Sequence, residues 1–151
     1  MGIKIICQNR KASFDYHLDE KFEAGMVLLG AEVKSLREGR ANLVDSYARI
    51  RRGEVFLHSM HITPYPFAHH MDLDPTRTRK LLLNKREIKR LIGKTEEKGY
   101  SLIPTKVYFK AGKAKVEIAL AKGKKKYDKR QALKEKEMKR EIDQARKRGR
   151  Y

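Results

Sequence analysis

Residues 113–121 carry the most regular alternation in the chain. Ala114, Val116, Ile118 and Leu120 fall on one side, Lys113, Lys115 and Glu117 on the other. That period of two marks a half-buried strand, and it follows a second extended run, 101–110, across Ala111-Gly112. A second hairpin is predicted from 47–50 and 55–62 around Arg51-Arg52-Gly53-Glu54, whose glycine suits a tight turn. Alternation at 14–18 predicts another strand, and 22–29 a further extended stretch bent at Gly25. Before them an apolar start at 3–7 leads into a polar, basic loop, Gln8-Asn9-Arg10-Lys11. Apolar residues three apart in 32–37, closed by Gly39, predict a short helix. A longer one is expected from a Thr76 or Thr78 cap, with Leu81, Leu82, Ile88, Leu91 and Ile92 as its core face and Gly93 as its stop. One more helical turn fits 95–98, before Gly99. About six strands with helices between them, without βαβ alternation, predict a mainly β fold. The expected architecture is an antiparallel barrel of the oligonucleotide-binding type with flanking helices.

The final thirty residues change the picture. Residues 122–151 hold fourteen Lys or Arg against five Asp or Glu, a net +9 that is half of the chain's +18. Their larger apolar side chains are Tyr127, Leu133, Met138, Ile142 and Tyr151, too few to offset the entropy of ordering the segment. The chain therefore divides into a folded domain, 1–121, and a basic tail, 122–151, disordered when free. Met138, Ile142 and Ala145 recur at helical spacing, so the tail holds a latent helix too polar to persist alone. A basic tail on a basic domain calls for a polyanion, and nucleic acid is the first candidate. The absence of a long apolar run, a signal-like start or a lipidation motif argues against a membrane. A single cysteine, Cys7, allows no internal disulfide and fits a reducing, cytoplasmic setting.

Catalytic and metal chemistry find little support. His58, His61, His69 and His70 cluster, but on a strand the first two leave opposite faces, the last two are adjacent, and no cysteine completes a zinc set. No nucleophile elbow or phosphate-cradling glycine loop is present, so no catalytic residue, cofactor or metal is expected. Glu23, in an apolar setting, either pairs with a lysine or arginine or accepts hydrogen bonds from RNA base edges or a 2′-hydroxyl. Arg77, Arg79 and Lys80 either flank a helix entry in solvent or contact phosphate there.

Six blocks, in order, resemble the SsrA-binding (small protein B, SmpB) family of bacterial trans-translation. They are Asn9-Arg10-Lys11-Ala12, Glu20-Lys21-Phe22-Glu23-Ala24-Gly25, Glu32-Val33-Lys34-Ser35-Leu36-Arg37, Asn42-Leu43-Val44-Asp45-Ser46-Tyr47, the run from Asp74 to Asn84, and Ala121-Lys122-Gly123-Lys124-Lys125-Lys126-Tyr127-Asp128-Lys129-Arg130. The resemblance implies an oligonucleotide-binding barrel with three helices, acting as a monomer on transfer-messenger RNA (tmRNA). The protein would stand in for the anticodon arm that the RNA's tRNA-like half lacks. By matching position the resemblance makes Asn9, Glu23, Leu82 and Lys115 RNA contacts, with Arg10 and Lys11 beside Asn9. It would send the tail, through Lys124, Lys125, Tyr127, Asp128, Lys129 and Arg130, as a helix into the empty mRNA path of a stalled ribosome. Two rivals stay open: a general ribosomal or RNA-folding protein, and an RNA-modifying or RNA-cleaving enzyme using the histidines.

Overall fold

The computed structural model describes residues 2–64, 74–124 and 126–148. Among them, the two glycine turns set the frame. Arg52 (φ 53°) and Gly53 (φ 76°) join β4 (Tyr47–Arg51) to β5 (Glu54–His58), and Ala111 (φ 51°) and Gly112 (φ 74°) join β8 (Ser101–Lys110) to β9 (Lys113–Gly123). Two successive positive φ values match the twist of the flanking strands, and glycine takes the second position without steric cost. With β1 (Ile3–Gln8), β2 (Tyr16–Met26) and β7 (Arg79–Leu82) these strands form one antiparallel sheet in the order β1-β8-β4-β5-β7-β2-β9, and β8 also pairs β9. Two short strands, β3 (Ala41–Asn42) and β6 (His61–Ile62), pair separately. The sheet thus has seven strands rather than about six.

Helices α1 (Arg10–Asp15), α2 (Gly30–Arg37), α3 (Lys85–Lys98) and α4 (Lys126–Arg148) complete the described elements. The inward residues of the strands, among them Val55, Leu57, Leu81, Val107, Val116, Ile118 and Leu120, bury with Leu36 of α2 and Leu91 of α3 in one core. A smaller cluster of Ala12, Ile103 and Ala121 seats α1 on the sheet's other side.

Three expectations are corrected. The basic loop and the strand at 14–18 are a helix, α1, followed by one long strand, β2. The register of β2 on β9 shifts between Leu18 and Lys21, where the pattern had shown a break. The helix expected from Thr76 or Thr78 is absent: Asp74 Oδ1 accepts from the Thr76 N–H (2.9 Å) to close a turn, and β7 follows. Leu81 is buried and Leu82 is 53% exposed, because neighbours on a strand leave opposite faces. The helix starts at Lys85, capped by Asn84, whose side chain accepts from Glu87 N–H (2.9 Å) while Glu87 reaches back. It runs through Gly93, and Gly99 (φ 68°) ends it, so 95–98 is its last turn.

Candidate nucleic-acid interface

Strand pairing decides which side chains meet, since residues directly opposite each other share a face. Leu82, Gly25, Lys115, Tyr108 and Ile5 lie in one row across β7, β2, β9, β8 and β1. Glu23, Glu117, Lys106 and Gln8 form the next row on the same outer face. Three predicted contacts, Glu23, Leu82 and Lys115, therefore come together although they are distant in sequence. Gly25 lies between them: a Cβ there would make ordinary contacts, 3.4 Å from Leu82 Cβ and 3.8 Å from Lys115 Nζ.

The Tyr108 hydroxyl donates to Glu23 Oε2, and Lys110 Nζ stands 3.5 Å from the same oxygen. That tyrosine bond, then Lys110 and Lys115, hold the Glu23 carboxyl below its ordinary range. Burial, then the bond and charge of Glu23, push the Tyr108 hydroxyl well above its own. At neutral pH Glu23 is thus an ionised acceptor and Tyr108 a protonated donor. Among the described residues both bonds reach Oε2, which leaves Oε1 to accept from a ligand. Lys106 Nζ sits 5.7 Å from the Tyr108 ring centre and adds a cation to this face. Lys106, Tyr108 and Lys110 went unread in the sequence, yet their period of two along 101–110 was the signal for a shared outer face.

Asn9 lies beyond the end of β1 and does a structural job. Its Nδ2 donates to Pro104 O (3.1 Å) and its backbone N–H to Thr105 O (2.7 Å). Arg10 and Lys11 are exposed on α1 beside it.

The basic trio before Asn84 separates. Arg79 is 0% exposed: its Nε donates to Glu32 Oε2 (2.7 Å), Nη1 to Met60 O (2.7 Å) and Nη2 to Pro75 O (3.1 Å). It is neither solvated nor open to a phosphate, which corrects both readings made of it. Arg77 joins it on Glu32 (2.6 Å), half-buried. Only Lys80 faces out, 3.4 Å from Glu54.

At the tail, β9 continues two residues past the expected boundary at 121. Lys122 Nζ lies 4.7 Å over the Tyr100 ring, and Lys124 N–H donates to Asp15 O (2.9 Å). Beyond it stands α4, whose described side chains are all exposed, including Leu133, Met138 and Ile142. Tyr127, Asp128, Lys129 and Arg130 fall in its first turns; Lys125 lies outside the described residues.

His69 and His70 also lie outside them. His58 ends β5 and stacks on Tyr47, while His61 belongs to the separate β6. Among the described residues no three His, Cys, Asp or Glu stand where they could hold a metal ion, and no helix is long and apolar enough to cross a membrane.

The SmpB protein family's sequence model matches residues 6–148. An SsrA-binding protein of Syntrophobacter fumaroxidans is 64% identical over 147 residues, covering 97% of this chain and 91% of that protein. Its counterpart in Geobacter sulfurreducens is 59% identical over 145 residues, 96% of this chain and 95% of the relative. That of Listeria monocytogenes is 60% identical over 142 residues, 94% and 92% of the two chains. A solved chain from work on tmRNA–SmpB and the centre of the bacterial ribosome superposes with a TM-score of 0.67 at 45% identity, covering 84% of this chain and 93% of that one.

Proposed function

The chain belongs to the SmpB protein family, and from that membership we propose that it binds the tRNA-like half of transfer-messenger RNA and brings it to stalled ribosomes for trans-translation. The observation that carries the reading is the outer face where Glu23, Leu82 and Lys115 converge around Gly25. An ionised acceptor, an exposed leucine and a lysine are what a folded RNA needs for its hydroxyl and base-edge donors, its sugar and base faces, and its phosphates. Asn9, held at Pro104, presents Arg10 and Lys11 to the same RNA.

The strands act as an oligonucleotide-binding barrel, closed by β8, which pairs with β9 on one side and β4 on the other. The protein works in the cytoplasm as a monomer on the RNA and performs no bond chemistry; its task is to replace the missing anticodon arm. The tail supplies the ribosomal half of the activity. With no described side chain of α4 buried, its helix rests on local hydrogen bonds and gives way to disorder in the free chain. A groove lined with rRNA phosphates and empty of mRNA neutralises the tail and restores the helix, and Lys124 to Arg130 enter first. An mRNA in that groove excludes the tail, which confines action to stalled ribosomes.

Footprinting on the tRNA-like RNA tests the reading, with bulk tRNA as competitor. Protection at the RNA's elbow that bulk tRNA does not displace is the expected result. Equal affinity for both RNAs would make the chain a general RNA-folding protein instead.

A further inference from the structure

A second aromatic and basic surface lies around the sheet from the first. On the outward face of the β4–β5 hairpin, Tyr47 lies opposite His58, Arg49 opposite Phe56, and Phe56 opposite Lys80 of β7. The Tyr47 and His58 rings stack 5.2 Å apart and 12° from parallel, and Thr78 Oγ1 stands 3.4 Å from His58 Nδ1, which steadies the pair. Tyr47 stays 38% exposed. The stack stands between two hollows: His58 lines one of about 590 Å³ with Arg49, Arg51 and Phe56, and Tyr47 lines another of about 720 Å³. Among the described residues, Arg49, Arg51 and Arg52 pair with no carboxylate, and the nearby Glu54 is engaged by Lys80.

A core-forming sheet has no need of two aromatic rings stacked on its solvent side, ringed by unpaired arginines. Both kinds of group suit one ligand. Bases stack on exposed rings whatever their sequence, and guanidinium groups take the phosphates between them. A protein partner would need acidic side chains along this line and would leave the rings without a specific task. We propose that the Tyr47–His58 stack, with Arg49 and Arg51, is a second RNA-binding site that takes an unpaired RNA segment, one base stacked on the ring pair and its phosphates on the two arginines. The site rests on the reading of the chain as an RNA-binding protein and gives it a second grip, apart from the Glu23 face and joined to it through Lys80 and Leu82 of β7.

The test uses the full chain and a short oligoadenylate with no self-pairing, at physiological salt, beside the tRNA-like RNA. Tyr47→Ala with His58→Ala should lower oligoadenylate affinity about tenfold, the usual scale for one lost stacking partner. It should leave affinity for the tRNA-like RNA little changed. The chain has no tryptophan, so Tyr47→Trp supplies a local probe that keeps the stack and does not depend on truncating it. Its fluorescence should be quenched saturably by oligoadenylate. An unchanged affinity in the double variant means capture by the cationic tail alone and overturns the proposal, as does indole fluorescence indifferent to the oligonucleotide in the Tyr47→Trp variant. Quenching in a protein that fails to bind the tRNA-like RNA would support this site while removing the adaptor reading.

Discussion

Two glutamates show how one residue type serves two ends. Glu32 is buried and holds Arg79 and Arg77, so it is a piece of the fold. Burial opposes its charge, but hydrogen bonds from Arg77, the Leu29 N–H and Arg79 outweigh burial and keep its carboxyl below the ordinary 4.5. A group lowered in the folded state stabilises fully above its unfolded value, and that contribution fades as pH falls through the folded one. Glu32→Gln should therefore cost about 3 kcal/mol at neutral pH, since buried Arg79 and half-buried Arg77 lose their charged partner. It should also make the loss of stability below pH 4.5 shallower; urea melts at several pH values check both. Glu23 is the contrary case, exposed and linked to Tyr108 and Lys110. Glu23→Ala should weaken binding of the tRNA-like RNA by about 1–3 kcal/mol, as for a lost partnered polar contact. Thermal melting should move little, because the Glu23 side chain is exposed and its paired cation, Lys110, is exposed too. A large drop in melting temperature would return Glu23 to the fold.

Among elements, the hairpins were legible because their turns need glycine and their strands alternate. The short helix α2 was legible from spacing closed by Gly39. The stretch from Thr76 to Gly93 misled because three leucines in a row fit a helix face as well as a strand that buries one and exposes its neighbour. Asn84 and Glu87, three apart, marked the true helix start and outweigh the threonines. Gly93 looked like a stop, yet a glycine ends a helix only where the backbone turns left-handed, and Gly99 does that. Gly93 is interior and a Cβ there meets nothing within 4 Å. Gly93→Ala should thus stabilise the protein by roughly 0.5–1 kcal/mol in urea unfolding. Destabilisation would mean that α3 does break at Gly93. The burial of Arg79 was beyond reach of the sequence, because its partner, Glu32, lies on another element and no local pattern links them.

For the whole molecule, what was legible was the division of charge; what was not was the assembly of the outer face. Glu23, Leu82 and Lys115 could be placed beforehand only by the family resemblance, because strand register, not spacing, brings them together. The tail's share of the net charge sits largely on a helix whose described side chains are all exposed, which suits the proposal that phosphates neutralise it and a groove orders it. The body has the reverse balance, a buried core and outer faces already formed. The measurement that separates the two compares the full chain with one ended after Lys126, reading affinity for the tRNA-like RNA and peptide tagging on ribosomes stalled without downstream mRNA. Retained affinity with tagging abolished is the predicted result. A joint fall of both, or tagging that survives the loss of α4, would contradict it.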